Sequence, residues 1–436
     1  MKQSSFNTIS VVGLGYIGLP TAAMFAAYGK QVIGIDVRQD VVNTINRGEI
    51  HIVEPELDVM VRGVVNEGRL LASIVPEPAD AFLIAVPTPF FPCNENNFPE
   101  PNLEYVEKAT KSIAKVLKRG DLVILESTSP VGATEKVAEW LTDARPDLVF
   151  PNTKNSDRTP DVNIAHCPER VLPGQVVREL VENDRVIGGM SPECSERAVS
   201  LYKSFVKGEC VITNARTAEM AKLTENSYRD VNIAFANELS LICDELDIDV
   251  WELIRLANRH PRVNILQPGP GVGGHCIAVD PWFIVSRTPQ LAKLIHTARQ
   301  VNDYKPQWVA NKVKIAIAEF LSENPNLSAS NVSIACLGLA FKANIDDLRE
   351  SPALQITQQI SEFHAGDLLV VEPNIDQLPE TLDKHMTLVN LNAAMEASNI
   401  VVVLVDHKEF IGMEVPYTHK LIDTKGIVQK VFHVNN

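Results

Sequence analysis

Apolar residues in the first 213 positions cluster in short runs rich in Val and Ile, and amphipathic segments of helical length separate most of these runs. The runs that predict strands are Ile9–Val12, Gln31–Ile35, Ala81–Val86, Leu122–Glu126, Asn163–Cys167, Val186–Gly188 and Glu209–Ile212. Strands that alternate with helices are typical of a parallel sheet covered on both faces. The pattern therefore predicts a doubly wound, Rossmann-like α/β domain over residues 1–213.

The pattern then changes to a helical period. Residues 217–258 contain few Gly or Pro and predict a nearly uninterrupted helix. A segment dense in Pro and Gly follows at His260–Pro281, and a second helical region runs from about Gln290 to Leu321. We expect Pro306 to kink or restart that second region. A central all-α domain over residues 214–321 is the prediction.

Alternation of strands and helices resumes after the polar break at Ser322–Asn331. The runs that predict strands here are Val332–Leu337, Asp367–Glu372, Ile400–Val405 and Lys420–Asp423. The predicted fold class is α/β, with two doubly wound Rossmann-like domains joined by the central helical domain. The third domain covers residues 322–436, and we hypothesise that the two α/β parts are distant structural relatives.

Composition narrows the function classes. The 436 residues are enough for two or three domains, and the formal net charge of -15 argues against nonspecific binding to nucleic acid or an anionic membrane. There is no run of about twenty apolar residues, and glycines interrupt the apolar start in a way that a signal peptide does not require. We therefore expect a cytoplasmic protein. Seven scattered cysteines without a C-x-x-C pair indicate reduced thiols and no metal site.

A glycine motif predicts a dinucleotide site. The first predicted strand runs into Gly13, Gly15 and Gly18, spaced as G-x-G-x-x-G before a helical pattern. This spacing gives a tight turn, a close approach of backbone to a pyrophosphate, and close helix–strand packing. Asp36 ends the second predicted strand, where a carboxylate binds a ribose diol and favours NAD over NADP; Arg38 weakens that preference slightly. The alternative is that these glycines serve only as turns.

Two threonines also fall where ligands bind in such sheets. Thr88 and Thr128 each follow the end of a predicted strand, in VPTP and ESTSP. Ligands bind at this edge of a doubly wound sheet. The alternative is that both are ordinary turn residues.

Cys276 is the candidate nucleophile. It follows a glycine-rich loop in GPGVGGHCIAVD, where backbone amides at a helix start would favour a thiolate and could bind an oxyanion. The alternative is a small buried cysteine. Asp280 falls one helical turn later, and it is either part of this site or the cap of a helix that begins at Pro281.

A predicted helix carries three further polar residues on one face. Lys222, Asn226 and Arg229 are spaced i, i+4 and i+7. Lys and Asn aligned in this way can donate hydrogen bonds to an alkoxide or a tetrahedral oxyanion. The alternative is a solvated charged face.

Taken together, the motifs resemble the UDP-glucose/GDP-mannose dehydrogenase family over essentially the whole chain. The segments that carry the resemblance are GLGYIGLP (13–20), VPTP (86–89), ESTSPVG (126–132), CPERVLPG (167–174), the Lys222–Asn226 helix, GGHCIAVDP (273–281) and GLAFKANIDDLRES (338–351). The segments 260–283 and CPERVLPGQ are especially similar to the branch that oxidises UDP-N-acetyl-D-mannosamine for enterobacterial common antigen. The UDP-glucose branch instead has GGSC and a PEF-L-EG loop.

The resemblance implies a four-electron oxidation of a sugar C6 alcohol with two NAD molecules used in turn. Cys276 would capture the aldehyde as a thiohemiacetal, which is oxidised to a thioester and hydrolysed to the acid. Lys222 and Asn226 would stabilise the oxyanions. Asp280, Thr128 and Glu169 are candidates for positioning or activating water, and the sequence does not rank them.

The resemblance also implies the binding residues. Those for NAD are Tyr16, Ile17, Asp36, Thr88, Thr128 and Arg349. Those for the UDP-sugar are Arg170, Val171, Lys222, Asn226, Arg229, Gly273, Phe341, Lys342 and Lys425. His260 and Arg262 would reach the substrate of a neighbouring subunit, which implies at least a homodimer.

Three alternatives remain at this point. The same chemistry on UDP-N-acetylglucosamine or UDP-glucose differs only in the sugar. A non-catalytic NAD-binding sensor would not need a nucleophile. A two-electron β-hydroxyacid dehydrogenase would share the first domain and a helical second domain, but it would not explain a third α/β domain or the cysteine.

Overall fold

The structure, a computed structural model, describes residues 6–52, 54–91, 98–151, 159–172, 174–274, 276–379, 382 and 385–431. Most of the loop at 152–161 and part of the loop at 90–103 fall outside this range. The sequence assigns no role to either loop. Pro173 of CPERVLPG and His275 of GGHCIAVDP also fall outside it.

The strands are β1 (Thr8–Val12), β2 (Gln31–Ile35), β3 (Leu70–Ser73), β4 (Ala81–Ile84), β5 (Phe90–Phe91), β6 (Glu100–Pro101), β7 (Leu122–Leu125), β8 (Asn163–His166), β9 (Arg185–Gly189), β10 (Cys210–Asn214), β11 (Ile334–Leu337), β12 (Leu368–Val371), β13 (Met386–Leu388), β14 (Ile400–Val403), β15 (Glu414–Pro416), β16 (Lys420–Asp423) and β17 (Gln429–Val431). The helices are α1 (Gly18–Ala27), α2 (Gln39–Asn46), α3 (Leu57–Asn66), α4 (Glu104–Ala114), α5 (Ala133–Ala144), α6 (Val176–Glu182), α7 (Pro192–Tyr202), α8 (Ala215–Glu245), α9 (Val250–Ala257), α10 (Asp280–Arg287), α11 (Lys293–Glu323), α12 (Pro352–Phe363) and α13 (Leu391–Ala397).

The first sheet has the strand order β10-β9-β8-β7-β4-β1-β2-β3. Its central strands are parallel, which confirms the predicted doubly wound α/β fold, but β9 pairs with β8 in the antiparallel direction. Alternate residues of the central strands supply two separate cores: Val11 and Leu83 belong to one, and Val12 and Phe82 to the other. A strand buried on both faces reads as a continuous apolar run, which is why the sequence pattern identified these strands.

The edge strand β3 did not have such a pattern and was missed. Its Leu71 is exposed. The Asn46 side chain covers the outer backbone of β3: its Nδ2 donates to Ala72 O at 2.9 Å, and its Oδ1 accepts from Ala72 N at 2.8 Å. This pairing satisfies an edge that would otherwise be open to another strand.

The second sheet repeats the central arrangement of the first. Its order is β13-β12-β11-β14-β16, all parallel, so that β11 lies between β12 and β14 as β1 lies between β2 and β4. A glycine follows each first strand with nearly the same left-handed φ, 94° at Gly13 and 95° at Gly338. The amide of each glycine donates to the last residue of the second strand, at 2.7 Å and 2.8 Å. These shared details support the hypothesis that the two α/β parts are related.

The helical part departs from the sequence pattern in two places. The predicted helix over 217–258 is two helices, because Asp247 adopts a positive φ of 52° and the Asp249 side chain caps α9. Pro306 does not restart a helix, since α11 continues through it. The chain divides into two compact units, residues 1–225 with 282–287 and residues 226–281 with 288–436. This boundary falls inside α8, so the three-domain division read from the sequence stays a prediction.

Candidate active site

The glycine motif forms the turn from β1 into α1. Gly13 takes the left-handed conformation, and a Cβ on Gly18 would lie 1.7 Å from Gly13 O, so the chain itself requires both residues to be glycine. A Cβ on Gly15 would meet nothing within 4 Å. Gly15 therefore leaves open the space that a pyrophosphate needs above the turn, and Tyr16 packs beneath it on the core.

Asp36 is tied to this turn. Its Oδ2 accepts from Leu14 N at 3.1 Å and its Oδ1 accepts from Arg38 N at 2.9 Å. The carboxylate is half-buried and fixed at the carboxyl end of β2, with lone pairs remaining for a ribose diol. Ile17 directly precedes α1. The residues at this edge of the sheet thus fit the adenosine half of NAD.

The structure brings together the two predicted threonines. Thr88 Oγ1 donates to Thr128 O at 2.6 Å, and Ser127 Oγ donates to Val86 O at 2.6 Å. Two hydrogen bonds therefore join the loops that follow β4 and β7. The sheet order places these loops next to the turn after β1, where a dinucleotide continues along the strand ends.

The charged residues of the CPERVLPG loop have two partners, Arg185 and Glu225, that the sequence pattern did not identify. Glu169 is buried, with Oε1 accepting from Arg170 N at 2.7 Å and Oε2 lying 2.9 Å from Arg185 Nη2. The Arg170 guanidinium grips Glu225 of α8 through Nε and Nη2, at 3.1 Å and 2.6 Å. Val171 packs on the core of this unit. The sequence feature that could have indicated these ion pairs is Arg185, a charged residue at the start of the apolar strand β9.

Arg185 lies between two carboxyl groups. Its guanidinium stacks 4.6 Å above the centre of the Tyr202 ring, and its Nη1 lies 3.9 Å from Glu126 Oε1. Burial raises the pKa of Glu126 to about 8, and the nearby Glu169 carboxylate adds to the rise. Burial and the Glu169 charge thus favour the protonated form of Glu126, and Glu169 lies nearer to the Arg185 guanidinium than Glu126 does, at 2.9 Å against 3.9 Å.

Cys276 is exposed, whereas Cys167, Cys194, Cys243 and Cys336 are buried. This excludes the alternative of a small core cysteine. Cys276 O accepts from Val279 N at 3.1 Å and from Asp280 N at 2.8 Å, so one turn leads from the thiol into α10.

The structure places Asp280 where the turn from Cys276 meets α10, and its role in the reaction stays a prediction. It is the first residue of α10, directly before Pro281, and it lies one turn beyond Cys276. Its buried carboxylate accepts a 2.5 Å hydrogen bond from Asn226 Nδ2. Asn226 is buried and Lys222 is half-buried, whereas Arg229 is exposed. Asn226 is therefore not part of a solvated face, and the binding role of Arg229 stays a prediction.

The glycine loop before Cys276 packs on the segment after β11. A Cβ on Gly273 would lie 2.6 Å from Glu350 O, 2.7 Å from Pro352 Cδ and 2.8 Å from Phe341 Cβ. Gly273, Phe341 and Pro352 thus meet at the closest approach that backbone allows. This close contact explains why residue 273 is a glycine, since any larger side chain would collide with its neighbours.

The predicted cations of the second sheet have acidic neighbours. Lys425 Nζ lies 2.9 Å from Asp406 Oδ1, and Arg349 pairs with Asp347 at 2.6 Å. Asp423 shapes the turn of Lys425, because its two oxygens accept from the four amides of residues 425–428 at 2.8–2.9 Å. Lys342 is exposed.

His260 and Arg262 lie on an exposed loop. The Asn258 side chain closes this loop with two hydrogen bonds to Ile265, at 2.9 Å and 2.7 Å. Both predicted intersubunit residues are therefore presented to solvent by a fixed loop.

Three family models cover the chain in succession. The NAD binding, central and UDP binding domains of the UDP-glucose/GDP-mannose dehydrogenase family match residues 7–206, 216–304 and 335–433. The chain is 64% identical over 426 residues to the UDP-N-acetyl-D-mannosamine dehydrogenase of Yersinia pestis, covering 97% of this chain and 99% of that protein. It is 59% identical to the NDP-N-acetyl-D-galactosaminuronic acid dehydrogenase of Ralstonia nicotianae, covering 97% and 96%. The solved UDP-D-ManNAc dehydrogenase of Pyrococcus horikoshii superposes with a TM-score of 0.82 at 37% identity, covering 97% and 99%.

The first sheet and its glycine turn, with the matching NAD binding domain, define an NAD-dependent dehydrogenase. The chain belongs to the UDP-glucose/GDP-mannose dehydrogenase family. This confirms the family resemblance and NAD as the cofactor, and the UDP binding domain supports a UDP-sugar substrate. Within the ranges that the structure describes, no helix combines the length and apolarity needed to span a membrane.

Gly15→Ala and Gly18→Ala should separate ligand binding from folding. Gly18→Ala should destabilise the protein by about 1–3 kcal/mol or more, because its Cβ meets Gly13 O. Gly15→Ala should stay within about 0.5 kcal/mol of wild type and weaken NAD binding roughly tenfold, because its Cβ enters the space for the pyrophosphate. Thermal unfolding and NAD titration check both. Unchanged NAD affinity in Gly15→Ala would contradict this placement of the pyrophosphate.

Glu126→Gln should change how stability depends on pH. The folded pKa is raised from 4.5 to about 8, so the stabilisation by Glu126 is fully present below pH 4.5 and is lost as pH rises through about 8. Between these values, wild type should lose up to about 1.4 kcal/mol per pH unit relative to Glu126→Gln. Urea unfolding across this range measures the difference. Exposed Glu196→Gln is the control, and parallel profiles for wild type and Glu126→Gln would show the prediction to be wrong.

Proposed function

We propose that this chain oxidises UDP-N-acetyl-D-mannosamine to UDP-N-acetyl-D-mannosaminuronate, with Cys276 as the residue that carries the acyl group. The observation that carries the proposal is the exposed Cys276 on a turn whose last residue, Asp280, is fixed by Asn226. A structural cysteine does not need such an anchored and exposed setting. The identity to UDP-N-acetyl-D-mannosamine dehydrogenases supports the choice of sugar.

The reaction proceeds in three stages. NAD, when bound, would supply the hydride acceptor for both oxidations, one molecule for each. Loss of the first hydride and of the hydroxyl proton turns the C6 alcohol into an aldehyde. The Cys276 thiolate adds to this aldehyde to give a thiohemiacetal, and loss of the second hydride and of its hydroxyl proton leaves a thioester. Water then cleaves the C–S bond, which releases the carboxylate and restores the thiol.

In the proposed reaction, other side chains stabilise charge and activate water. Lys222 and Asn226 lie one turn apart on α8 and donate to the alkoxide and tetrahedral oxyanions. Of the three candidates for activating water, we favour Asp280, because it shares a turn with Cys276. Thr128 is bonded to Thr88 through its carbonyl, and Glu169 neutralises Arg185, so both are better suited to positioning.

The binding groups follow the strand ends. We propose that Asp36, Tyr16, Ile17, Thr88, Thr128 and Arg349 hold NAD. For the nucleotide sugar we propose Phe341 and Lys342 after β11, Lys425 after β16, and Arg170, Val171, Arg229 and Gly273. Lys425 is held by Asp406 and by the Asp423 turn, so its ammonium is already in place for a phosphate.

An apolar stripe on α8 supports a homodimer. Tyr228, Phe235 and Ile242 recur at seven-residue spacing and are 69%, 50% and 47% exposed. Large apolar residues in one row on an exposed helix face are typical of an interface. In the dimer we propose, the loop of His260 and Arg262 reaches the substrate of the neighbouring subunit. We place the enzyme in the cytoplasm, supplying a uronic acid for a surface polysaccharide such as enterobacterial common antigen.

A second candidate substrate is an N-acetylgalactosamine nucleotide, because of the 59% identity to the Ralstonia dehydrogenase. A substrate panel decides between the sugars. With UDP-N-acetyl-D-mannosamine we expect two NADH per uronate, and a kcat/KM at least about tenfold above those for the N-acetylglucosamine, N-acetylgalactosamine and glucose compounds. Activity confined to one of the other sugars would overturn the substrate, and one NADH per product would overturn the thioester route. Retained NAD binding without any turnover would support the sensor alternative.

A mixture of two inactive variants tests both the nucleophile and the dimer. Cys276→Ser should bind NAD normally and form no acid, and Arg262→Ala should lose most of its activity. Co-refolded or subunit-exchanged at equal amounts, the two should regain about a quarter of wild-type activity, since half of the dimers are mixed and each mixed dimer has one complete site. Normal acid production by Cys276→Ala would rule out covalent catalysis by residue 276. Failure to regain activity in verified mixed dimers would rule out the intersubunit role of Arg262.

A further inference from the structure

Helix α8 has a polar face that is buried instead of solvated. Asn226, Asp230 and Asn237 are 8%, 0% and 0% exposed. Asn226 and Asn237 lie eleven residues apart, about three helical turns, so they share this face. Buried polar side chains are stable only when they are hydrogen-bonded, and the partners of these residues therefore indicate what the face holds.

Asn237 joins two structures. Its Nδ2 donates to Asn302 Oδ1 of α11 at 2.9 Å, and its Oδ1 accepts from Gly269 N at 2.9 Å. Gly269 is buried and begins the glycine-rich loop that leads to Cys276. Asn237 is therefore a link between the helical core and the start of this loop.

The ion pair between Arg299 and Asp230 determines which atoms donate and which accept in the hydrogen bonds from Asn302 to Asn237 and on to Gly269. Arg299 Nη1 lies 2.6 Å from Asp230 Oδ1, and both side chains are buried. The same Asp230 oxygen accepts from Asn302 Nδ2 at 2.8 Å. Because a carboxylate paired with Arg can only accept, the Asn302 amide must point toward Asp230. Asn302 Oδ1 is then left for the Asn237 amide, and Asn237 Oδ1 for Gly269.

The far end of the loop is fixed to the same helix. Asn226 donates to Asp280, which is one turn beyond Cys276. Between the two ends, Gly273 packs on Phe341 and Pro352. Asn237 has no proposed role in the reaction, and neither of its bonded partners belongs to the turn from Cys276 to Asp280.

We infer that Asn237 is a positioning residue for Cys276, holding the start of the nucleophile loop through Gly269 N while Arg299, Asp230 and Asn302 orient its amide. The inference rests on the proposed role of Cys276 as nucleophile. Misplacement of a reacting atom by about 1 Å costs on the order of 100-fold in rate, so an anchor seven residues away can control turnover without touching substrate.

Asn237→Ala removes the acceptor for Gly269 N. It should lower kcat by roughly 10- to 100-fold, with the KM for the sugar nucleotide within about threefold and with NAD affinity unchanged, because neither Asn302 nor Gly269, the two partners of the Asn237 side chain, is a proposed binding residue. Lys305→Met is the matched control. It removes a buried polar contact between the same two helices, from Lys305 to Ser240. Ser240 donates to the backbone carbonyl of Asn237, so this control leaves the Asn237 side chain and its bond to Gly269 N in place. Its kcat should stay within about twofold of wild type.

Asn237→Asp adds a readout that a merely structural role would not move. Protonated Asp can donate to Asn302 and accept from Gly269, as Asn does, whereas the ionised form places an acceptor against Asn302 Oδ1. Burial favours the protonated form at low pH. The ratio of the Asn237→Asp to the wild-type kcat should therefore fall as pH rises, while the ratio for Asn237→Ala should stay flat.

The rate of Cys276 alkylation by iodoacetamide tests the inference independently of the substrate. With Cys276→Ser subtracted as background, Asn237→Ala should change this rate by at least about threefold and Lys305→Met should not. If no sugar nucleotide is turned over, the proposed function fails, and the alkylation rate alone then decides whether Asn237 positions Cys276. An alkylation rate and kcat of folded Asn237→Ala within twofold of wild type would overturn the inference, as would an equal loss in Lys305→Met.

Discussion

A reactive cysteine must be open to substrate and still be held in one place, and the buried hydrogen bond between Asn226 and Asp280 reconciles these demands. The thiol lies on an exposed turn, but the last residue of that turn is buried and bonded to α8 at 2.5 Å. A buried carboxylate that lost this partner would leave an unsatisfied acceptor, at a cost of about 1–3 kcal/mol. Separating the turn from α8 therefore costs free energy, so the Cys276 thiol is held in place while it remains exposed.

Hydrogen bonding also distinguishes the carboxylates that follow the second strand of each sheet. After β2, Asp36 accepts from Leu14 N and Arg38 N and keeps lone pairs for a ligand. Glu372, its counterpart after β12, is bonded to the amides of Leu339 and Ala340, to Asn374 and to buried His407. These contacts lower the pKa of Glu372 to about 2 despite its burial. Asp36 thus keeps acceptor capacity that Glu372 uses within the fold, which agrees with a G-x-G-x-x-G motif after β1 and none after β11.

How much the sequence could predict follows from which interactions are local. The central strands and the turn at Gly13–Gly18 were predicted because continuous apolar runs and glycine spacing report directly on a doubly buried strand and a tight turn. Edge strand β3 was not, since Asn46 satisfies it from another element. Arg185 and Asn237 were missed for the same reason. Their partners, Glu169 and Gly269, are 16 and 32 residues away in the chain, a separation that no pattern of period 2 or 3.6 encodes.

An acidic chain that binds a nucleotide diphosphate must also control its own cations. Three cations proposed to bind ligands have carboxylate partners: Arg170 with Glu225, Lys425 with Asp406, and Arg349 with Asp347. Their side chains are 32%, 24% and 51% exposed, so each pair is partly solvated and worth no more than about 1 kcal/mol. Such pairs orient the cations and are weak enough for a phosphate to compete with. Arg185 is the contrast, because it is 4% exposed and its partner Glu169 is buried with it. If a phosphate displaced Glu169 from Arg185, the Glu169 carboxylate would be left buried without its partner. Burial therefore distinguishes Arg185, which holds the CPERVLPG loop, from the three cations that are available to ligands.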